Sequence, residues 1–137
     1  MRKTIYLSIY FLFLLNSCKG YKVFYDNNEP SAKETELINK YLKPNKKTIS
    51  FTDGFQNHKL KIKLSDNSEV FNGVINTDET LGLAKTVYFN KEEQYILIFI
   101  DGKKLKIKNQ EGYSFIYVSN NDNEVHIEFK KAPYIFS

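Results

Sequence analysis

After Pro44 the sequence alternates apolar and polar residues in short runs, and it does so as far as residue 130. A period of two sends successive side chains to opposite faces of an extended chain, so each run reads as a half-buried strand. The runs are 48–52, 59–64, 69–76, 83–89, 94–100, 103–108, 113–119 and 124–130. Turn-forming residues separate them: Asp53-Gly54, Asp66-Asn67, Thr77-Asp78, Asn90-Lys91, Asp101-Gly102, Glu111-Gly112 and residues 120–123. Short strands broken this often predict a mainly β domain. The expected form is an antiparallel β-sandwich of about eight strands; an up-and-down eight-stranded barrel is the alternative. With 11 Phe and 10 Tyr, the chain has ample material for a core.

Two hairpins can be placed in register. Asp101-Gly102 is a preferred pair for a two-residue type I′ turn. Closing it on Ile100 and Lys103 sets Ile98 opposite Leu105 and Ile96 opposite Ile107, all on one face. Tyr95, Leu97 and Phe99 then occupy the other face, opposite Lys104, Lys106 and Lys108. A strand apolar on both faces needs cover on both. For the last hairpin, a turn over 120–123 sets Val118 opposite Val125 and Ile116 opposite Ile127. Phe115 and Tyr117 then point the other way, beside His126 and Glu128.

One helix is expected, over 31–42. Ser31 and Glu34 match a capping box, and Leu37, Ile38, Tyr41 and Leu42 form one apolar stripe. Pro44 stops the helix by restricting the residue before it. The stripe is the expected lid for Tyr95, Leu97 and Phe99.

The N-terminus has a different character. Arg2 and Lys3 precede an apolar run from Ile5 to Leu15, interrupted only by Ser8, and Asn16, Ser17 and Cys18 follow. That is the layout of a secretory leader, too short to span a bilayer as a lasting helix. Leu15-Asn16-Ser17-Cys18 resembles the lipobox of bacterial lipoproteins, although Asn16 takes a place that more often holds Ala, Ser or Thr. The resemblance covers residues 1–18 and implies cleavage between Ser17 and Cys18. It also implies a diacylglyceryl group on the Cys18 thiol and an acyl chain, such as palmitate, on the new amino end. Cys18 is the single cysteine of the chain. The expected organisation is a signal peptide at 1–17, a lipidated tether at 18–30 and one β-rich domain at 31–137. By the same resemblance, Lys19 after the cysteine, where an inner-membrane retention signal often places Asp, implies the outer membrane, facing the periplasm. No acidic run follows Cys18, as surface display would favour.

Charge excludes one class of partner. Lys and Arg total 20 against 16 Asp and Glu, but the only arginine is Arg2. Without the leader, 18 basic and 16 acidic groups remain. A reader of base edges leans on arginine, and lysines here are interspersed with acids rather than grouped, so nucleic acid is not an expected partner.

No Gly-rich phosphate loop, HExxH, GxSxG, EF-hand loop or CxxC occurs in the sequence. Catalytic, cofactor and metal residues are therefore none, and the chain is not expected to be an enzyme. Tyr113, Phe115, Tyr117 and His126 make the candidate binding surface, because aromatics on a sheet face stack on sugars or anchor proteins. The same aromatics read alternatively as the second core face of a sandwich. The functional expectation is a lipid-anchored binding or protein-interaction module of the bacterial cell envelope, with the membrane, another envelope protein or a carbohydrate as partner. A lipocalin-like carrier of an apolar ligand and an envelope hydrolase are the alternatives.

Overall fold

The computed structural model describes residues 21–122 and 124–135. Ser17 and Cys18, with the rest of the leader, lie outside the described residues. The strands are β1 (Tyr21–Asp26), β2 (Lys46–Phe51), β3 (His58–Leu64), β4 (Glu69–Ile75), β5 (Lys85–Asn90), β6 (Tyr95–Ile100), β7 (Lys103–Lys108), β8 (Phe115–Asn121) and β9 (Glu124–Lys130). The helix α1 is Ala32–Tyr41.

The strands form two sheets, ordered β1-β9-β8-β2-β5 and β4-β3-β6-β7. The inner faces meet in a filled core. Ile49, Phe51, Ile116, Val118 and Ile127 come from the five-stranded sheet, and Leu60, Ile62, Ile96 and Ile98 from the four-stranded one, each at most 1% exposed. The architecture is a sandwich. The closed barrel is overturned, and with it goes the hollow interior that a lipocalin-like carrier needs.

The sandwich is not purely antiparallel, which corrects the expectation. β1 pairs with β9 in parallel, and β2 pairs with β8 in parallel. Both pairings join strands remote in sequence, so no hairpin turn constrains their direction. The ninth strand is β1, which occupies part of the expected tether at 18–30.

The β6–β7 register is the expected one, with Ile98 opposite Leu105 and Ile96 opposite Ile107. Asp101 and Gly102 take φ of 49° and 83°, the left-handed pair a type I′ turn requires. The β8–β9 register differs by two residues. Val118 faces Ile127, Ile116 faces Phe129, and Asn121 closes on Glu124. The turn is two residues rather than four, with Asp122 at φ 48°. A slip of two preserves which side chains share a face.

Helix α1 carries the capping box: Glu34 N–H donates to Ser31 Oγ at 3.1 Å and Ser31 N–H to Glu34 Oε1 at 2.8 Å. It does not cover Tyr95, Leu97 and Phe99. Its Leu37, Ile38 and Tyr41 face a groove shared with Thr48, Tyr88 and Phe115, on the outside of the other sheet. The second face of β6 is covered instead by lysine stems, with Lys106 Nζ 4.2 Å from the Tyr95 ring and Lys61 Nζ 5.8 Å from the Phe99 ring.

Candidate functional site

The outer face of the five-stranded sheet is set by the strand registers. Phe24 of β1 faces Glu128 of β9, Glu128 faces Tyr117 of β8, and Tyr117 faces Ser50 of β2. Opposed residues share a face, so these four side chains form one row across the sheet. Beside it runs a second row, Lys22, His126 and Ser119.

The C-terminal segment folds back over this face. Tyr134 N–H donates to the Tyr117 hydroxyl at 2.8 Å, and the two rings meet edge-on at 4.6 Å. The Tyr134 hydroxyl donates to Glu128 Oε1, and Lys130 Nζ sits 4.2 Å from the Tyr134 ring. Burial pushes the Tyr117 phenol up to about 12, with the Glu128 carboxylate adding to the effect. Tyr134 is raised too, by burial and by Glu128. Both tyrosines are therefore neutral at physiological pH.

Between this tail, β1 and the 78–83 loop lies an open cleft of about 480 Å³. Phe24, Leu81, Tyr134 and Ile135 line its apolar side, all with exposed surface of 41% or more. Asp53, Ser119, His126 and Glu128 supply its polar side. Asp53 comes from the turn after β2, where its backbone carbonyl holds Asn120 N–H at 2.9 Å. No described donor occupies the Asp53 carboxylate, so it is open to a ligand hydroxyl. His126 is fixed at both nitrogens: Asn121 Nδ2 lies 3.0 Å from Nδ1, and Glu124 Oε1 lies 2.7 Å from Nε2. That contact is the main cause of the lowered Glu124 pKa. Phe24 packs edge-on to the imidazole at 5.4 Å.

Of the four residues singled out from sequence, Tyr117 and His126 meet in this cleft. The expectation of an exposed aromatic set is corrected for three of them. Tyr117 is 5% exposed, under Tyr134. Phe115 is 6% exposed and lies in the neighbouring groove beside α1. Tyr113 precedes β8 and turns to the core side, packing on Tyr25 and Phe129 and donating its hydroxyl to Asn27. Phe24, Asp53, Glu128 and Tyr134 were not singled out. They reach the cleft from four separate segments, and only Tyr134 had a local signal, the apolar tail Pro133-Tyr134-Ile135.

His58 lies in another depression, with Asp101 and Asn120. Among the described residues no three His, Cys, Asp or Glu side chains converge to hold a metal ion. No described helix is long and apolar enough to cross a membrane.

No protein-family model matches the chain, and no curated protein matches it in sequence. Among solved structures, it is similar to the CBM25-2 and CBM25-1 modules of the beta/alpha-amylase from Paenibacillus polymyxa. Each is 17% identical, with a TM-score of 0.42, over 66% of this chain and 96% of the module.

Proposed function

We propose that this chain is a lipid-anchored binding module of the bacterial envelope whose outer-sheet cleft takes a carbohydrate. The observation that carries the ligand class is the pairing of an exposed ring, Phe24, with an open carboxylate, Asp53, across one cleft. Sugars present C–H faces that pack on aromatic rings and hydroxyls that donate to carboxylates. Tyr134 adds a second exposed ring to the same cleft.

The anchor rests on the leader and on Leu15-Asn16-Ser17-Cys18. A protein attached through two or three acyl chains stays bound where one chain would not. Replacing Cys18 by Ser should abolish fatty-acid labelling and release the protein from membranes. Labelling that persists would sink the anchor. For the ligand, the mature protein is titrated with neutral oligosaccharides by calorimetry. Binding that falls at least tenfold in Phe24→Ala and Asp53→Asn, with unfolding midpoints unchanged, supports the cleft. Binding indifferent to both substitutions, or no binding to any sugar at millimolar concentration, rejects it.

A protein partner is the second reading, favoured by the apolar groove beside α1. There Tyr41 is 69% exposed, Tyr88 57% and Ile135 64%. Crosslinking from position 41 to one envelope protein, lost in Tyr88→Ser, would select it.

A further inference from the structure

The outer face of the four-stranded sheet gathers six lysines. Lys59, Lys61 and Lys63 project from β3 because Leu60 and Ile62 take the core side. Lys104, Lys106 and Lys108 project from β7 because Leu105 and Ile107 are buried. β6 lies between, and the registers set Lys61 and Lys104 on either side of Phe99, and Lys63 and Lys106 on either side of Leu97. The two lysine columns are thus two strand spacings apart, about 10 Å.

These six ammonium groups are unpaired by any described carboxylate; the ion pairs of the described residues lie elsewhere. Glu69, opposite Lys63, is the one acidic residue in register with the columns. Asp66, Glu93 and Asp101 keep their charges but lie in the turns at the ends of the sheet, held there by Ser68, Ser65 and the Lys59 N–H rather than by a lysine ammonium of the columns. The rings of the middle row are half-buried under ammonium groups, so charge is the outermost chemistry of the face.

We infer that this face docks on an anionic lipid surface. Lysine serves as a compact point charge for phosphate headgroups, and the described residues carry no arginine of the kind a reader of base edges would use. A stacked sugar polymer is less well served, because the rings it would use are capped by Lys61 and Lys106. The entry of the chain fits. β1, the first described strand, begins at Tyr21. β1 pairs with β9, whose Val125 shares a cleft with Leu105 of β7, so the chain enters on the β7 side of the sandwich. The inference does not depend on lipid at Cys18 or on the sugar cleft.

The test uses residues 19–137, which hold both sheets and the whole core and lack the lipid site. The protein is sedimented with vesicles of equal parts phosphatidylglycerol and phosphatidylcholine, and with phosphatidylcholine alone. Binding to the anionic vesicles only, weakening with salt, is expected. Each lysine at such a surface contributes about fivefold to partitioning. The triple change Lys104→Gln, Lys106→Gln, Lys108→Gln should therefore weaken binding by about 100-fold. Changing Lys33, Lys40 and Lys43 to Gln should leave it within a fewfold. Circular dichroism of each variant establishes that it is folded. Equal binding to both vesicles, or a β7 variant that binds like the parent, overturns the inference. So does binding to polygalacturonate that is tighter than binding to the anionic vesicles at matched charge and is weakened by the same β7 changes, since it assigns the face to an anionic polysaccharide.

Discussion

The backbone N–H of Tyr134 is hydrogen-bonded to the hydroxyl of Tyr117 at 2.8 Å, fastening the C-terminal segment across the outer face of the five-stranded sheet. The buried phenol has a raised pKa, about 12 against an ordinary 10.0. A raised folded pKa means that the folded state holds its proton longer than the unfolded chain. The stabilisation is complete below pH 10 and is lost as pH rises toward 12. Parent protein should lose on the order of 2 kcal/mol of stability across that window. Tyr117→Phe should flatten much of this slope and cost about 1 kcal/mol at pH 7. Denaturant titrations at stepped pH check both.

Asp26 and Lys130 test the opposite sign. Lys130 Nζ lies 2.7 Å from Asp26 Oδ2, which joins the end of β1 to β9. The lysine, and then the Asn28 N–H, hold the Asp26 carboxyl below its ordinary value of 3.8. The stabilisation is present above pH 3.8 and disappears as pH falls through the lower folded value. Asp26→Asn should lower the unfolding midpoint at pH 7, and the gap to parent should narrow as the pH falls below 3.8 and through the lowered folded value. A gap unchanged by acid would show that the pair is not its source.

Gly54 follows the open carboxylate of the cleft and takes φ 86°. A Cβ at this position would sit 1.8 Å from the Asn120 carbonyl oxygen. The backbone must shift to admit any side chain, so Gly54→Ala should cost at least about 3 kcal/mol. Equilibrium unfolding in urea measures it. Gly102→Ala, with open space around it, should cost about 1 kcal/mol.

Ser31→Ala removes one side of the capping box, at a cost of about 1 kcal/mol to the helix. No residue of α1 is fully buried. The loss should therefore surface as local opening rather than global unfolding. Amide exchange over residues 34–42 should quicken about fivefold, while β-sheet protection stays at the parent level.

What the sequence disclosed depended on whether its determinant was local. The Asp101-Gly102 pair fixes its hairpin, so the β6–β7 register could be read off. Residues 120–123 offer several turn placements, which left β8–β9 two residues adrift with its faces intact. The parallel pairings of β1 and β2 have no local marker at all. The same division holds for the cleft. Tyr117 and His126 lie on one hairpin and could be grouped, whereas Phe24, Asp53 and Tyr134 arrive through pairings no short window contains. The lysine face was legible in part: the Asp101-Gly102 hairpin already placed Lys104, Lys106 and Lys108 on one face, whereas the addition of Lys59, Lys61 and Lys63 across β6 depends on the β3–β6 pairing, which has no local marker.

The parallel pairing of β1 with β9 also constrains when the protein can finish folding. Asp26 and Lys130 are 104 residues apart in sequence, and such distant contacts close late, after the entropy of the intervening loop has been lost. A chain emerging N-terminus first from a ribosome or a translocation pore exposes β1 at the start but cannot seat it until residue 130 is free. During that interval Val23-Phe24-Tyr25 is an unpaired apolar edge. Of the described strands, β1 is the one that waits longest for its partner.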